Sequence, residues 1–324
     1  MTAPISSDFN NHELERTGLT KFGETFLANQ ASKLYQFAQG SVIQGHGFGY
    51  LDTFGKVDAT KSREVYVQSR MIQVFGLSHY FGDENGKQLV RHGIEVLNSD
   101  FHDKNFGGYF NAIDKFGAPA HPEKLAYDQM FVLLAAVMGV ALNVPGAKEL
   151  FEEIDQIIDS KYWDEKFGLM NNSWDSSFMT LDLYRGVNAN MHAVEALLAA
   201  YDLTKNKKYQ DRALRICRAV ALDFAKPNLW LLPEHFDANW KVDQEFNINN
   251  KADQFRPYGV TIGHLFEWSR LLLQLQISLM NDGIHYDWIE ESAVSLYETG
   301  KDFGWSADGT AGFIIRWIGR QTQL

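Results

Sequence analysis

The stretch YRGVNANMHAVEALLAA, residues 184–200, has the composition of a buried helix but carries polar side chains at a helical spacing. Asn188, His192 and Glu195 lie at positions i, i+4 and i+7 among alanine, valine and leucine. Residues at these separations share one face of an α-helix. The polar stripe therefore indicates either a hydrogen-bonded network between packed helices or the lining of a polar cavity.

Short hairpin-like segments recur along the chain at a nearly constant spacing. Each has an alternating stretch, a turn-forming Asp, Asn or Gly, and a second short stretch, which is typical of β-hairpins. Matching positions at Tyr50, Tyr109, Met170 and Leu232 are separated by 59, 61 and 62 residues. The segments are GHGFGYLDTFGKV (45–57), NFGGYFNAIDKFG (105–117), EKFGLMNNSWDSSF (165–178), NLWLLPEHFDANWKV (228–242) and, as a fifth candidate, ADGTAGFIIRW (307–317).

Two helical patterns lie between successive hairpins, one more apolar and the other more amphipathic. A unit of this kind cannot bury its apolar face alone and must stack on its neighbours. Closing about six units into a ring predicts an all-α (α/α)6 toroid, or barrel, with short β-hairpins on one rim. An open α-solenoid is the alternative, but long aromatic hairpins suit the rim of a bowl. We predict one such domain over residues 1–324.

The number of helical patterns is too small for a complete ring. From Leu14 onward there are about nine, whereas six inner and six outer helices would need roughly three more. The expected toroid is therefore incomplete at its C-terminal end, with its last helices missing. Apolar faces near residues 14–38 and 257–281 are then expected to be exposed, as a patch that favours association.

Composition excludes several kinds of partner. The formal net charge of −11 makes nucleic acid and anionic membranes poor partners. The single cysteine, Cys217, cannot form an internal disulfide, no secretory signal is visible, and the longest apolar runs are too short to cross a bilayer. We therefore expect a cytoplasmic protein with no nucleic-acid or membrane partner, and the pattern leaves a homo-oligomer open.

Three further apolar helices carry polar residues at a comparable depth in the repeat. His264 and Glu267 are one helical turn apart, so Glu267 could orient the imidazole or keep its pKa up. Tyr66 and Arg70 are four residues apart in an earlier helix, and Tyr127 begins another. Polar groups at matching depth in four units favour a shared cavity over independent networks in the core.

No metal or cofactor motif accompanies these residues. The chain has no H-E-x-x-H zinc motif, no cysteine cluster, no Gly-rich phosphate loop, no dinucleotide fingerprint and no nucleophile elbow. We therefore predict no metal and no cofactor. Histidine, arginine and tyrosine near aromatic walls suit proton transfer next to a sugar carbonyl, since an imidazole with a pKa of about 6.5 exchanges protons at neutral pH. Arg70 would stabilise the enediolate oxygen.

Three segments of the chain resemble the N-acylglucosamine 2-epimerase superfamily. They are YRGVNANMHAVEALLAAYDLT (184–204), DQFRPYGVTIGHLFEWSRLLL (253–273) and SRMIQVF (69–75). The first is most similar to the aldose–ketose isomerase branch, which holds mannose isomerases and sulfoquinovose isomerases. The resemblance implies an (α/α)6 barrel and a metal-independent reaction. In that reaction the sugar ring opens and a histidine moves a proton between carbons 2 and 1 through a cis-enediolate.

The resemblance also implies roles for individual residues. The expected catalytic residues are His264, His192, Arg70 and Glu267. From the pattern and the resemblance together, the expected substrate-binding residues are Tyr66, Tyr127, Asn188 and Arg256. His264 matches one of two acid/base histidines of the family, His192 a further essential histidine, and Arg70 the arginine that contacts the reacting oxygens. The second acid/base histidine of the family lies beyond residue 324, so this chain is expected to be inactive or impaired.

Isomerisation of D-mannose to D-fructose, or of a close analogue such as sulfoquinovose, is the first functional hypothesis. One alternative is a sugar 2-epimerase of the N-acylglucosamine or cellobiose type. Another is a hydrolase or lyase that uses Asp128 and Glu267 as its carboxylate pair. The last is an inactive family member that only binds sugar.

Overall fold

A computed structural model describes residues 21–305, 309–312 and 314–315. Most of these residues are helical, which confirms the predicted all-α class. The described α-helices are α1 (Lys21–Ala38), α2 (Val65–Tyr80), α3 (Gly86–Val96), α4 (Ala126–Ala141), α5 (Ala147–Ile157), α6 (Val187–Thr204), α7 (Lys207–Arg218), α8 (Ile262–Met280) and α9 (Asp287–Gly304).

The helices form two layers, as the alternation of apolar and amphipathic patterns predicts. The apolar helices α2, α4, α6 and α8 pack side by side, and each also packs against the amphipathic helix that follows it. In α5, only Ala147, Leu150 and Ile154 are buried, at the i, i+3, i+7 spacing of a single stripe. In α4, almost every residue is buried, because both of its faces have neighbours. The apolar helices are therefore the inner layer.

Each of the first three outer helices ends in the same way. Helices α3, α5 and α7 widen into π-helical turns at Leu97–Phe101, Ile158–Tyr162 and Ala219–Ala225. Short 3-10 turns lie at Gln39–Ser41 and Lys226–Asn228. The recurrence at one place in the unit shows that the 60-residue repeat of the sequence is a structural repeat.

Thirteen short strands in the described residues lie in the segments that join the helices. They are β1 (Val42–Ile43), β2 (Gly47–Phe48), β3 (Arg63–Glu64), β4 (Ala112–Ile113), β5 (Pro119–His121), β6 (Lys124–Leu125), β7 (Trp163–Asp164), β8 (Leu169–Met170), β9 (Ser173–Trp174), β10 (Arg185–Gly186), β11 (His235–Phe236), β12 (Val260–Thr261) and β13 (Ile314–Ile315). The antiparallel pairs are β1–β2, β3–β4, β4–β5, β6–β9, β7–β8, β10–β11 and β12–β13.

These pairs follow one rule, which positions the site. The strand that leads into each inner helix, β3, β6, β10 or β12, pairs with a strand of the next hairpin along the chain. The rule ties the N-terminal ends of α2, α4, α6 and α8 to the same rim of hairpins. Polar residues in the first turns of these helices are therefore brought to the same depth.

The aspartates at the hairpin tips explain the turn signal of the repeat. The carboxylates of Asp52, Asp114 and Asp237 each accept backbone N–H groups from the residues two and four positions later. Asp175 accepts the backbone N–H of Met179. Local bonds of this kind favour a turn over continued strand.

Apolar side chains are exposed at both ends of the arc. Helix α1 exposes Phe26, Leu27, Leu34 and Phe37, and α8 exposes Leu273, Ile277 and Met280. Both sets lie where the sequence predicted exposed faces. The described helices therefore trace an open arc of the toroid class. None of them is long and apolar enough to cross a membrane.

Candidate active site

A cavity of about 750 Å³ opens on the hairpin rim. Its wall contains all four predicted substrate-binding residues, which are Tyr66, Tyr127, Asn188 and Arg256. The pairing rule of the rim brings Tyr66, Tyr127 and Asn188 together, since each lies in the first turn of an inner helix. The volume and the mixture of aromatic and polar groups fit a small polar ligand.

Aromatic rings form one side of the cavity. The ring of Tyr66 lies edge-on to the rings of Tyr127 and Phe255, with centroids 5.6 and 5.9 Å apart. The guanidinium of Arg256 lies 4.2 Å from the centre of the Tyr184 ring. The loop between β11 and β12 supplies Phe255, which no pattern in the sequence marked as a site residue. These faces suit the apolar faces of a sugar ring.

The four predicted catalytic residues form a cluster beside the cavity rather than in its wall. Tyr127 lies between this cluster and the cavity. The Tyr127 ring is edge-on to His192, with centroids 5.0 Å apart, and its hydroxyl group interacts with Arg70. The Arg70 guanidinium also lies 5.0 Å from the centre of the Phe131 ring. Arg70, from α2, and His192, from α6, therefore both lie against the Phe131 ring of α4.

His192 is held by a carboxylate on its own helix. Its Nδ1 atom lies 3.3 Å from Oε2 of Glu195, one turn later. Burial alone would raise the pKa of Glu195, but the hydrogen bond to His192 and the charges of Arg270 and Arg70 lower it. With Nδ1 engaged, Nε2 is the nitrogen left for a ligand.

His264 is held by a carboxylate from a different element. Its Nδ1 atom lies 2.9 Å from Oε1 of the buried Glu234, which immediately precedes β11. The one-turn spacing predicted Glu267 in this role, but the hydrogen bond is made with Glu234, 30 positions away. Burial alone would lower the pKa of His264, yet the charge and hydrogen bond of Glu234 raise it, with a smaller contribution from Glu267.

A set of ligand atoms in this cluster resembles a metal site. One ligand atom each of His192, Glu195 and Glu267 lie within 4.8 Å of one another. Arg270, however, lies 3.5 Å from the carboxylate of Glu195 and 3.7 Å from that of Glu267. This arginine therefore compensates part of the negative charge of both carboxylates, as a bound cation would.

Comparisons with known proteins agree with the fold. The chain matches the family model described as N-acylglucosamine 2-epimerase over residues 46–322. It is 36% identical over 289 residues to a D-mannose isomerase of Thermobifida fusca, covering 89% of this chain and 70% of the relative. A D-mannose isomerase of Pseudomonas cannabina pv. alisalensis is 34% identical over 309 residues, covering 95% of this chain and 74% of the relative.

A solved structure described as D-mannose isomerase superposes with a TM-score of 0.82 and 28% identity, covering 89% of this chain and 73% of that one. The fold and these relatives define a sugar-processing protein of the α-toroid class. The chain belongs to the N-acylglucosamine 2-epimerase family. This confirms the resemblance of its three sequence segments.

Proposed function

We propose that this protein is an aldose–ketose isomerase that interconverts D-mannose and D-fructose. The observation that carries the proposal is the pair of imidazoles, His192 and His264. Each is held at Nδ1 by a carboxylate, beside a cavity of about 750 Å³ that can admit a sugar. The D-mannose isomerases described above, which are 36% and 34% identical to this chain over the aligned residues, support the same reaction.

The reaction follows from the free nitrogen of each imidazole. With the sugar open, Nε2 of His264 removes the proton on carbon 2, and the C–H electrons form the C1–C2 double bond of a cis-enediolate. The carbonyl oxygen on carbon 1 takes up the negative charge, which Arg70 stabilises. Return of the proton to carbon 1 leaves the carbonyl on carbon 2. His192 suits proton transfer at the sugar oxygens.

The charge of the cavity wall favours a neutral sugar over sulfoquinovose. The wall carries the carboxylates of Glu64, Glu123, Asp175, Asp182 and Asp253, against the single arginine Arg256 among the described residues. A sulfonate would be repelled by this surplus of negative charge. D-mannose is therefore the better substrate.

The alternatives differ in product or in geometry. A 2-epimerase would form the same enediolate but return the proton to the opposite face of carbon 2. A hydrolase would need Asp128 at the scissile bond. Asp128 is completely buried and its Oδ2 atom is hydrogen-bonded to Asn111, so it is poorly placed to act as acid or base on a glycosidic bond.

Product analysis tests the proposal. The purified protein is incubated with D-mannose or with sulfoquinovose, and the products are separated and identified. We expect fructose from mannose, with solvent deuterium on carbon 1 when the reaction is run in D2O. Glucose as the sole product would indicate an epimerase. No turnover of mannose would contradict the proposal and would favour the inactive or impaired chain expected from the sequence.

Glu234→Gln is expected to move the acidic limb of the pH profile of kcat/KM to lower pH. His264 acts as a base only when neutral, and its pKa is raised by the Glu234 carboxylate. Glutamine keeps an oxygen acceptor without the charge, so burial then lowers the pKa of His264. A weaker base also lowers kcat. The measurement is the profile of kcat/KM between about pH 5 and 9.

Glu267→Gln is the matched control, because Glu267 affects the pKa of His264 by its charge alone. Its shift of the acidic limb is expected to be smaller. An acidic limb that stays in place in Glu234→Gln would show that His264 is not the titrating base.

A further inference from the structure

A second polar pair lies in the cavity wall, outside the histidine cluster. The pair consists of Asp128, in the first turn of α4, and Asn111, immediately before β4. Oδ2 of Asp128 accepts a hydrogen bond of 2.7 Å from Nδ2 of Asn111. Oδ1 of Asp128 is buried and has no hydrogen-bond partner within the described part of the chain. Oδ2 of this carboxyl group is therefore hydrogen-bonded, whereas Oδ1 is not.

This carboxyl group is costly to the fold. Burial raises the pKa of Asp128 to about 8, against the hydrogen bond from Asn111, and the charges of Glu64 and Glu123 add to the shift. At neutral pH the group is protonated in the folded chain but ionised in the unfolded chain, so folding must take up a proton. An asparagine would fill the same space without this cost. A costly polar group in a cavity wall indicates a functional role.

The backbone of Asn111 is held at the junction of two strand pairs. Its N–H group donates to the carbonyl oxygen of Glu123 at 3.3 Å, and its own carbonyl accepts the N–H of Val65 at 2.9 Å. The bond from Nδ2 to Asp128 then restricts the side chain. The amide oxygen and the second amide hydrogen of Asn111 remain for a ligand in the cavity that it lines.

We propose that Asn111 binds a hydroxyl group of the sugar through its free amide groups, and that Asp128 is the positioning residue that holds this amide in place. The proposal rests on the proposed function, because it takes the ligand to be a sugar. We place the contact on the cyclic sugar as it first binds, where the oxygen on carbon 5 closes the ring. The hydroxyl then lies on carbon 3, 4 or 6, since carbons 1 and 2 react. The pair therefore contributes to the choice between sugars.

Deoxy sugars test the role of Asn111. Wild type and Asn111→Ala are compared on D-mannose and on its 3-deoxy, 4-deoxy and 6-deoxy analogues, by kcat/KM and by calorimetric binding. We expect Asn111→Ala to lose about tenfold on mannose, mainly in KM. On the one analogue that lacks the contacted hydroxyl, the two proteins should be equal. An equal loss on all four sugars, or no loss on mannose, would overturn the proposal.

Asp128 is tested through its dependence on Asn111. Asp128→Asn can still accept the amide hydrogen and should keep KM near the wild-type value, whereas Asp128→Leu should raise it. The effects of Asp128→Leu and Asn111→Ala should not add, because they remove the same contact. Asn172→Ala is the matched control, since Asn172 lines the same cavity, and its effect should add to that of Asp128→Leu. Additive effects of Asp128→Leu and Asn111→Ala would overturn the positioning role.

The two proposals fail in different ways. If wild type binds mannose without converting it, the proposed function fails, and the binding measurements still decide the role of Asn111. If wild type neither binds nor converts mannose, the proposed function and the proposed role of Asn111 are both overturned. If it converts mannose and Asn111→Ala shows no dependence on any hydroxyl, only the present inference falls. Thermal unfolding of each variant identifies those that do not fold, and Asp128→Asn then carries the test of position 128.

Discussion

His264→Ala is expected to lower kcat for mannose isomerisation by about 10³-fold. General acid–base catalysis by a positioned side chain is worth about 10²- to 10⁴-fold, and alanine removes the nitrogen that carries the proton. The measurement is the steady-state rate of ketose formation, together with uptake of solvent deuterium at carbon 1. Both should fall together, because both depend on proton transfer at carbon.

Alanine at position 264 also leaves the buried Glu234 carboxylate without its partner. His264→Gln is therefore the second variant, since its amide can donate to Glu234 but cannot act as a base. It should fold and be as slow as the alanine variant. His285→Ala is the control, because His285 lies in the exposed turn between α8 and α9 and should leave kcat unchanged. A folded His264→Gln protein with kcat within about tenfold of wild type would remove His264 from the mechanism.

Lys124→Met is expected to lower the free energy of unfolding by about 3–5 kcal/mol. Lys124 is completely buried, and its Nζ atom lies 2.8 Å from Oδ2 of Asp103, which is also buried. Asp103 additionally accepts the backbone N–H groups of Asn105 and Phe106 in the second hairpin. Methionine fills the space but leaves this carboxylate uncompensated. The measurement is the unfolding transition in urea.

The pH dependence of this loss has a definite sign. Burial alone would raise the pKa of Asp103, but the Lys124 hydrogen bond and the two backbone N–H groups lower it. An aspartate with a lowered pKa stabilises the fold above its unfolded pKa and loses that contribution as the pH falls. The difference between Lys124→Met and wild type should therefore be largest at neutral pH and shrink in acid.

The double variant Lys124→Met/Asp103→Asn should recover part of the loss, since asparagine can accept the same backbone bonds without a charge. Equal stability of Lys124→Met and wild type at neutral pH would contradict the prediction. The pair matters for the site because Lys124 lies in β6, the strand that leads into α4 and Tyr127.

Much of the architecture could be predicted from local pattern. The 60-residue spacing predicted the repeat, and the apolar helices with polar first turns predicted the inner layer. Tyr66, Tyr127 and Asn188 could be assigned to one cavity, because equivalent positions in stacked units lie at equal depth. The fifth hairpin candidate also follows the pattern. Its strand β13 pairs with β12, which leads into α8, just as earlier hairpins pair with the strands that lead into α2, α4 and α6.

The contacts between elements could not be predicted in this way. Glu267 is one turn from His264 in sequence, yet Glu234 makes the bond, since the segment that leads into β11 lies against the start of α8. Arg270 reaches Glu195 on another helix, and Asn111 reaches Asp128 from another repeat. The number of residues between two side chains in the sequence does not predict their distance in the folded chain.

The sequence by itself determined the repeat, the layer in which each helix lies and the family of the chain, because periodicity and residue identity are local properties. Only the tertiary structure decided which carboxylate holds which histidine, that an arginine occupies the carboxylate cluster, and that Asp128 is buried with one oxygen unpaired. The physical reason is that hydrogen bonds and desolvation depend on distances of a few ångströms between elements. Those distances are set by the packing of the two helical layers and the rim together.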